Sequence, residues 1–168
     1  MNTPTDLAHF IQAHGIAATL VRPAHETPTV HLAAQAMGCA EEQIIKSVLF
    51  TLRTPDAQGE TKDDASLHVA LVITSGAAQI DYRRLAEVFG VSRKRIKLAP
   101  PEVVLAVTGY PVGGVPPFGY PEPIATYVDR SVLERESVFG GGGDEHTLLR
   151  ITPQELLRVT GAHLIDAK

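Results

Sequence analysis

The architecture hinges on nine residues, Ile44-Ile45-Lys46-Ser47-Val48-Leu49-Phe50-Thr51-Leu52, the strongest strand signal in the chain. β-branched and aromatic side chains dominate the run. At a period of two, Lys46 shares a face with Ile44, Val48 and Phe50, and Ile45, Ser47 and Leu49 share the other, so one face holds a cation among apolar neighbours. Leu67 to Thr74 is the expected partner strand. The residues between, Thr54 to Asp64, are polar turn formers without apolar periodicity and predict a long, mobile hairpin loop.

On the N-terminal side, Leu7, Phe10 and Ile11 recur at helical spacing behind Thr5 or Asp6 as N-cap, with Gly15 as the stop. Ala17 to Val21 predicts a strand, and Val30 to Met37, ended by Gly38, a second helix. On the C-terminal side, Asp81 caps a helix carrying Leu85, Val88 and Phe89 and stopped by Gly90, and Pro100-Pro101 opens another that ends at Gly109. Gly109 to Pro123 then holds five prolines and four glycines, which predicts a long irregular loop of the functional kind. Strands are expected at Ile124 to Val128, Ser137 to Gly140 and Thr147 to Ile151. Thr152-Pro153-Gln154-Glu155 reads as a capping box opening a last helix to about Thr160, before a Leu164-Ile165 strand. Irregular alternation with short links predicts a mixed, mostly antiparallel sheet rather than a Rossmann sheet.

The chain has 168 residues, 44% of them hydrophobic and 20% charged, which fits one globular domain and excludes disorder and collagen-like repeats. A net charge of −4 excludes a charge-driven nucleic-acid coat protein but leaves room for a local basic face. Arg83, Arg84, Arg93, Lys94, Arg95 and Lys97 supply one, and two meanings stay open for it: a solvated helical face or a contact to an RNA backbone. The lone Cys39 fits a reducing compartment. With no signal-like start and no 18-residue apolar run, the expectation is a cytoplasmic protein with no membrane partner.

Three places could carry chemistry. Lys46 is either an edge-strand lysine that wards off aggregation or a cation at the mouth of a pocket, aimed at an anionic or carbonyl oxygen. Gly140-Gly141-Gly142-Gly143 and Gly113-Gly114 are either flexible turns or backbone that approaches a ligand closely and offers amides to an oxyanion. His146, beside Asp144 and Glu145, is either a surface histidine or a general base. The seven histidines lack ligand spacing and no Gly-x-Ser-x-Gly elbow exists, so neither a metal, a cofactor nor a serine hydrolase is expected.

Gln43 to Phe50, the loop Thr108 to Gly119, and Gly140 to Gly143 leading to Leu149-Arg150-Ile151-Thr152-Pro153 together resemble the YbaK/prolyl-tRNA synthetase-associated domain family, as does His25-Glu26 before an Ala-rich helix. The resemblance spans nearly the whole chain, which implies a single domain over 1–168. It implies an α/β fold around a curved, barrel-like, mostly antiparallel sheet surrounded by helices, and hydrolysis of mischarged aminoacyl-tRNA. Lys46 then matches the lysine that holds the tRNA 3′ end or the ester carbonyl, with Gly113 and Gly114 beside it as catalytic backbone. Ser47, His25, Gly141, Gly142, Gly143, Asp144 and His146 become substrate-binding positions. The basic cluster at 83 to 97 becomes RNA-binding, and prolyl-tRNA synthetase joins the tRNA acceptor end as a partner. A binding module of the same fold that has lost catalysis is the alternative.

Overall fold

The computed structural model describes residues 1–54 and 66–168. The loop expected from Thr54 to Asp64 therefore lies, from residue 55 on, outside the described residues. All of the nine-residue run but Ile44 lies in β2 (Ile45–Thr54), and its expected partner lies in β3 (Ser66–Ser75); the two pair antiparallel from Ile45 opposite Ser75 to Thr54 opposite Ser66. Further strands are β1 (Ala18–Val21), β4 (Ile96–Leu98), β5 (Ala125–Asp129), β6 (Val138–Gly141), β7 (Leu148–Ile151) and β8 (His163–Ile165). Five of them make one sheet in the order β4-β2-β3-β5-β8, and the other three make a second sheet in the order β1-β7-β6.

The β3–β5 and β5–β8 ladders are parallel and the other four antiparallel, so the expectation of a mixed, mostly antiparallel sheet holds. Neither sheet closes into a barrel. They touch through one parallel bridge, Ile44 to Phe139. The sequence reading missed β4, because three residues behind an Arg-Lys-Arg run carry too little pattern to announce a strand.

Both faces of β2 are covered. Ile45 and Leu49 join Leu71 and Ile73 in the main core, while Val48, Phe50 and Leu52 pack with Val72 against Leu85 and Ile96. Leu85 belongs to α3 (Tyr82–Phe89), which starts at the expected Asp81 cap and ends at Gly90 in the left-handed region. The other helices are α1 (Pro4–Ala13), α2 (Val30–Met37), α4 (Pro101–Thr108) and α5 (Pro153–Thr160). Among the described residues no helix is long and apolar enough to cross a membrane.

Two caps differ from expectation. Helix α1 is capped by Thr3, not Thr5 or Asp6; Asp6 instead accepts from the Thr3 N–H at 2.7 Å and closes a capping box. Pro4 explains the choice, since proline favours the first helical position and puts the cap one residue earlier. At α5, Thr152 caps as expected, accepting from the Glu155 N–H at 3.3 Å. The Glu155 carboxylate does not turn back to its own helix; it accepts from the Ala17 N–H at 3.1 Å and from Arg158 Nε at 3.0 Å.

Arg158 first, and then the Ala17 amide, hold the Glu155 carboxyl down to about 2 from an ordinary 4.5. A depressed carboxyl contributes stability in full above its unfolded value and loses it as pH falls through the folded one. Glu155→Gln is therefore expected to lower the urea midpoint at pH 7 and to converge with the wild type near pH 2; parallel curves across that range would contradict the assignment.

Candidate active site

The β4 ladder covers β2 only from Phe50 to Leu52, and the Ala99 N–H adds a bond to the Leu49 carbonyl at 2.9 Å. Pro100 and Pro101 follow, lack amide protons and open α4, so the pairing cannot continue. From the other side β6 packs on Ile45, and among the described residues its one backbone bridge to this stretch is Ile44 to Phe139, just before β2. Between these two contacts the edge of β2 is uncovered, and a cleft of about 340 Å³ opens there.

Aliphatic side chains of Ile45, Leu49, Ala99, Val104 and Val115 form the cleft's apolar floor. Lys46 and Ser47 line it from β2, Gly113 from the proline-rich loop and Gly141 from β6. Leu98 and Val112 flank it and are both 59% exposed. Lys46 is exposed, and among the described residues no carboxylate pairs with it. An unpaired ammonium beside apolar walls is available to an anionic or carbonyl oxygen of a ligand. Opposite Lys46 in the ladder, Thr74 is buried, and neither its hydroxyl nor the buried Ser47 hydroxyl has a partner among the described residues.

The structure thus brings together Lys46, Ser47, Gly113 and Gly141, and separates the rest of the expected site from them. Gly113 has φ +92° in a turn closed by the Gly114 N–H on the Pro111 carbonyl at 3.0 Å. The Gly142 N–H bonds the Thr147 carbonyl at 2.9 Å, and the Gly143 N–H bonds the Gly114 carbonyl at 2.8 Å. Three of the amides expected to serve an oxyanion are therefore spent on the fold. Gly114 is needed for close approach instead: a Cβ there would lie 2.7 Å from the Asp144 backbone. At Gly141 a Cβ would collide with the Val115 carbonyl.

Asp144 shapes a turn, accepting from the His146 N–H at 2.9 Å. Against the upward push of partial burial, bonds from Thr147 and from that amide hold its carboxyl below the usual range. His146 stands 3.4 Å from Glu145, and both line a smaller pocket of about 210 Å³ with Glu26, Thr27 and Pro28. Gly113 lines this pocket as well as the main cleft. His25 is exposed and lines neither pocket.

None of the basic residues of the 83 to 97 cluster lines the cleft; Arg83 and Arg93 line a separate pocket with Asp81 and Tyr82. Arg83, Arg84, Arg93, Lys94 and Lys97 are exposed, whereas Arg95 is half-buried and donates to the Arg53 carbonyl at 3.4 Å. The Arg93 guanidinium lies 5.8 Å from the centre of the Tyr82 ring. Lys97 sits on β4 directly before Leu98 at the cleft mouth. The sequence reading missed the walls Leu98, Ala99 and Val104; Val112 and Val115, both inside the flagged loop, carried a signal.

Over residues 24–159 the chain matches the aminoacyl-tRNA editing domain family, and it belongs to that family. Among curated proteins it is similar to the uncharacterized protein YwhH of Bacillus subtilis (strain 168), with 31% identity over 128 residues, 76% of this chain and 72% of that one. A solved structure of a candidate trans-editing enzyme for prolyl tRNA synthetase shares 31% identity at a TM-score of 0.83, covering 98% of this chain and 96% of the other. The hypothetical protein APE2540 is 34% identical at a TM-score of 0.79, with 96% and 98% covered.

Gly114→Ala forces a methyl group against backbone that cannot swing aside, with an expected cost of about 1–3 kcal/mol. Gly90→Ala has open space and only its left-handed φ of +63° to pay for, about 1–2 kcal/mol. Chemical denaturation should show both losses, and a ligand titration a loss of affinity for Gly114→Ala alone, because of the two sites that one braces the loop bearing Gly113 and Val112.

Proposed function

We propose that this protein is a trans-editing hydrolase that removes a small amino acid from mischarged tRNA, tRNA-Pro or a related species. The observation that carries the reading is Lys46, a cation beside an apolar cleft with no carboxylate partner among the described residues, in a chain that belongs to the aminoacyl-tRNA editing domain family. The likeness to a candidate trans-editing enzyme for prolyl tRNA synthetase supports the choice of tRNA and prolyl-tRNA synthetase as a partner.

The chemistry asks little of side chains. An aminoacyl ester is already activated, so a site that holds it, admits one oriented water and stabilises the developing oxyanion supplies the needed acceleration. Lys46 anchors the terminal nucleotide or polarises the carbonyl, and the aliphatic floor receives the amino-acid side chain. Discrimination there works by volume, at about 1–3 kcal/mol per methylene. Arg93, Lys94 and Lys97, with Arg83 and Arg84 behind them, meet the phosphates of the acceptor stem.

Lys46→Ala is expected to lower deacylation kcat/KM by on the order of 10²-fold, as for loss of one oxyanion-stabilising donor. The assay is a panel of tRNA-Pro charged with alanine, serine, cysteine or 2-aminobutyrate, and other tRNAs carrying small residues. Equal turnover by wild type and variant across the panel would refute the role of Lys46, and no turnover by the wild type would leave a binding module. In a second measurement, Lys97→Ala should weaken tRNA binding uniformly across sequences and flatten the log K against log salt slope by about one.

A further inference from the structure

The main-chain direction of β2 identifies a donor that no side-chain inspection reveals. In a strand, each residue's N–H and C=O point to the same edge, and successive residues alternate between edges. The Leu49 carbonyl accepts from Ala99 on the β4 side, and Thr51 pairs with Lys97 on that side. The Ile44 carbonyl accepts from the Gly76 N–H at 2.6 Å, on the β3 side. Odd-numbered residues therefore present their amides to the β4 edge, and Ser47 is one of them. Yet β4 ends opposite Phe50, Ala99 reaches only Leu49 and β6 touches at Ile44, so among the described residues no ladder covers Ser47 on that edge, where the cleft lies.

Meanwhile the amides of Gly114, Gly142 and Gly143 are engaged within the fold. We propose that the Ser47 main-chain N–H is the donor that holds the reacting carbonyl oxygen in the cleft. The assignment rests on the deacylase reading. In the reaction, water oxygen bonds to the ester carbonyl carbon, and the C=O π pair moves onto the oxygen held by Ser47 N–H. Collapse re-forms the carbonyl and breaks the bond to the ribose oxygen. One water proton passes to that oxygen and the free amino acid leaves. The serine hydroxyl is not used, and Ser47 acts through an atom every residue but proline possesses.

The test replaces the amide by an ester at position 47, placing lactic acid where Ser47→Ala has alanine, so that one N–H disappears and no atom intrudes. Measured against Ser47→Ala, the reference that keeps the N–H, the ester variant is expected to lose on the order of 10²-fold in kcat, as when one oxyanion donor is removed. Retention of the Ser47→Ala rate would overturn the assignment while leaving the deacylase reading intact. An inactive wild type on the whole mischarged panel would overturn both. Independently of the variant's folding, titrating wild-type protein with amide-linked 3′-alanylamino-adenosine should shift the Ser47 ¹⁵N–¹H resonance more than that of Val48, whose amide faces β3; an unmoved Ser47 resonance under saturation would refute the contact.

Discussion

A single interruption in hydrogen-bonding organises this molecule: the edge of β2 bonds β4 and Ala99 down to Leu49, meets β6 at Ile44, and between them has no strand beside it among the described residues. A buried strand edge is costly unless something satisfies it, so the gap must either be filled by protein or open to ligand and water. Here it opens. Pro100 and Pro101 end the β4 pairing because they cannot donate, and β6 departs after one bridge because it belongs to the other sheet. The cleft is the space these two departures leave, and Lys46 stands beside it because strand alternation turns its side chain out of the ladder while its neighbours anchor the core.

The proline- and glycine-rich segment then serves as a wall rather than a lid. Tyr110, Val115 and Phe118 are buried in the main core, and the Tyr120 hydroxyl donates to the Pro116 carbonyl. A loop so packed holds Gly113 and Val112 at the cleft without regular secondary structure. Its second anchor is the Gly141–Gly143 segment, where absent side chains let two backbones meet: Gly114 against Asp144, and Gly141 against Val115. Glycine here is required by proximity of chain to chain. That differs from the expected use, in which the same residues would present amides to substrate.

Local signals served the sequence reading well and nonlocal ones did not. Val30–Met37 and Tyr82–Phe89 were legible because Asp81 and the left-handed Gly38 and Gly90 act within one turn of the helix they bound, while the Thr29 cap of α2 went unread. Strand β4 was not legible, since its three residues become a strand only by lying against Phe50 to Leu52. Glu155 shows the limit most clearly. Its position after Thr152 fits a capping box, and the geometry of α5 would permit one, but the Ala17 amide, brought in by the β1–β7 pairing, takes the carboxylate instead.

By itself the sequence determined the helices and their stops, the β2–β3 pair with Lys46 on one face, and membership of an editing family through its lysine and glycine motifs. The elements follow from periodicity, turn chemistry and spacing, all readable within a few residues, whereas the family follows only from the resemblance of those motifs to known ones. Tertiary structure alone decided which of the marked residues share a cleft, that His25 stays outside both pockets, and which amides remain unpaired. Hydrogen-bond satisfaction is a property of partners distant in the chain, and only the closed fold shows which backbone groups have found one.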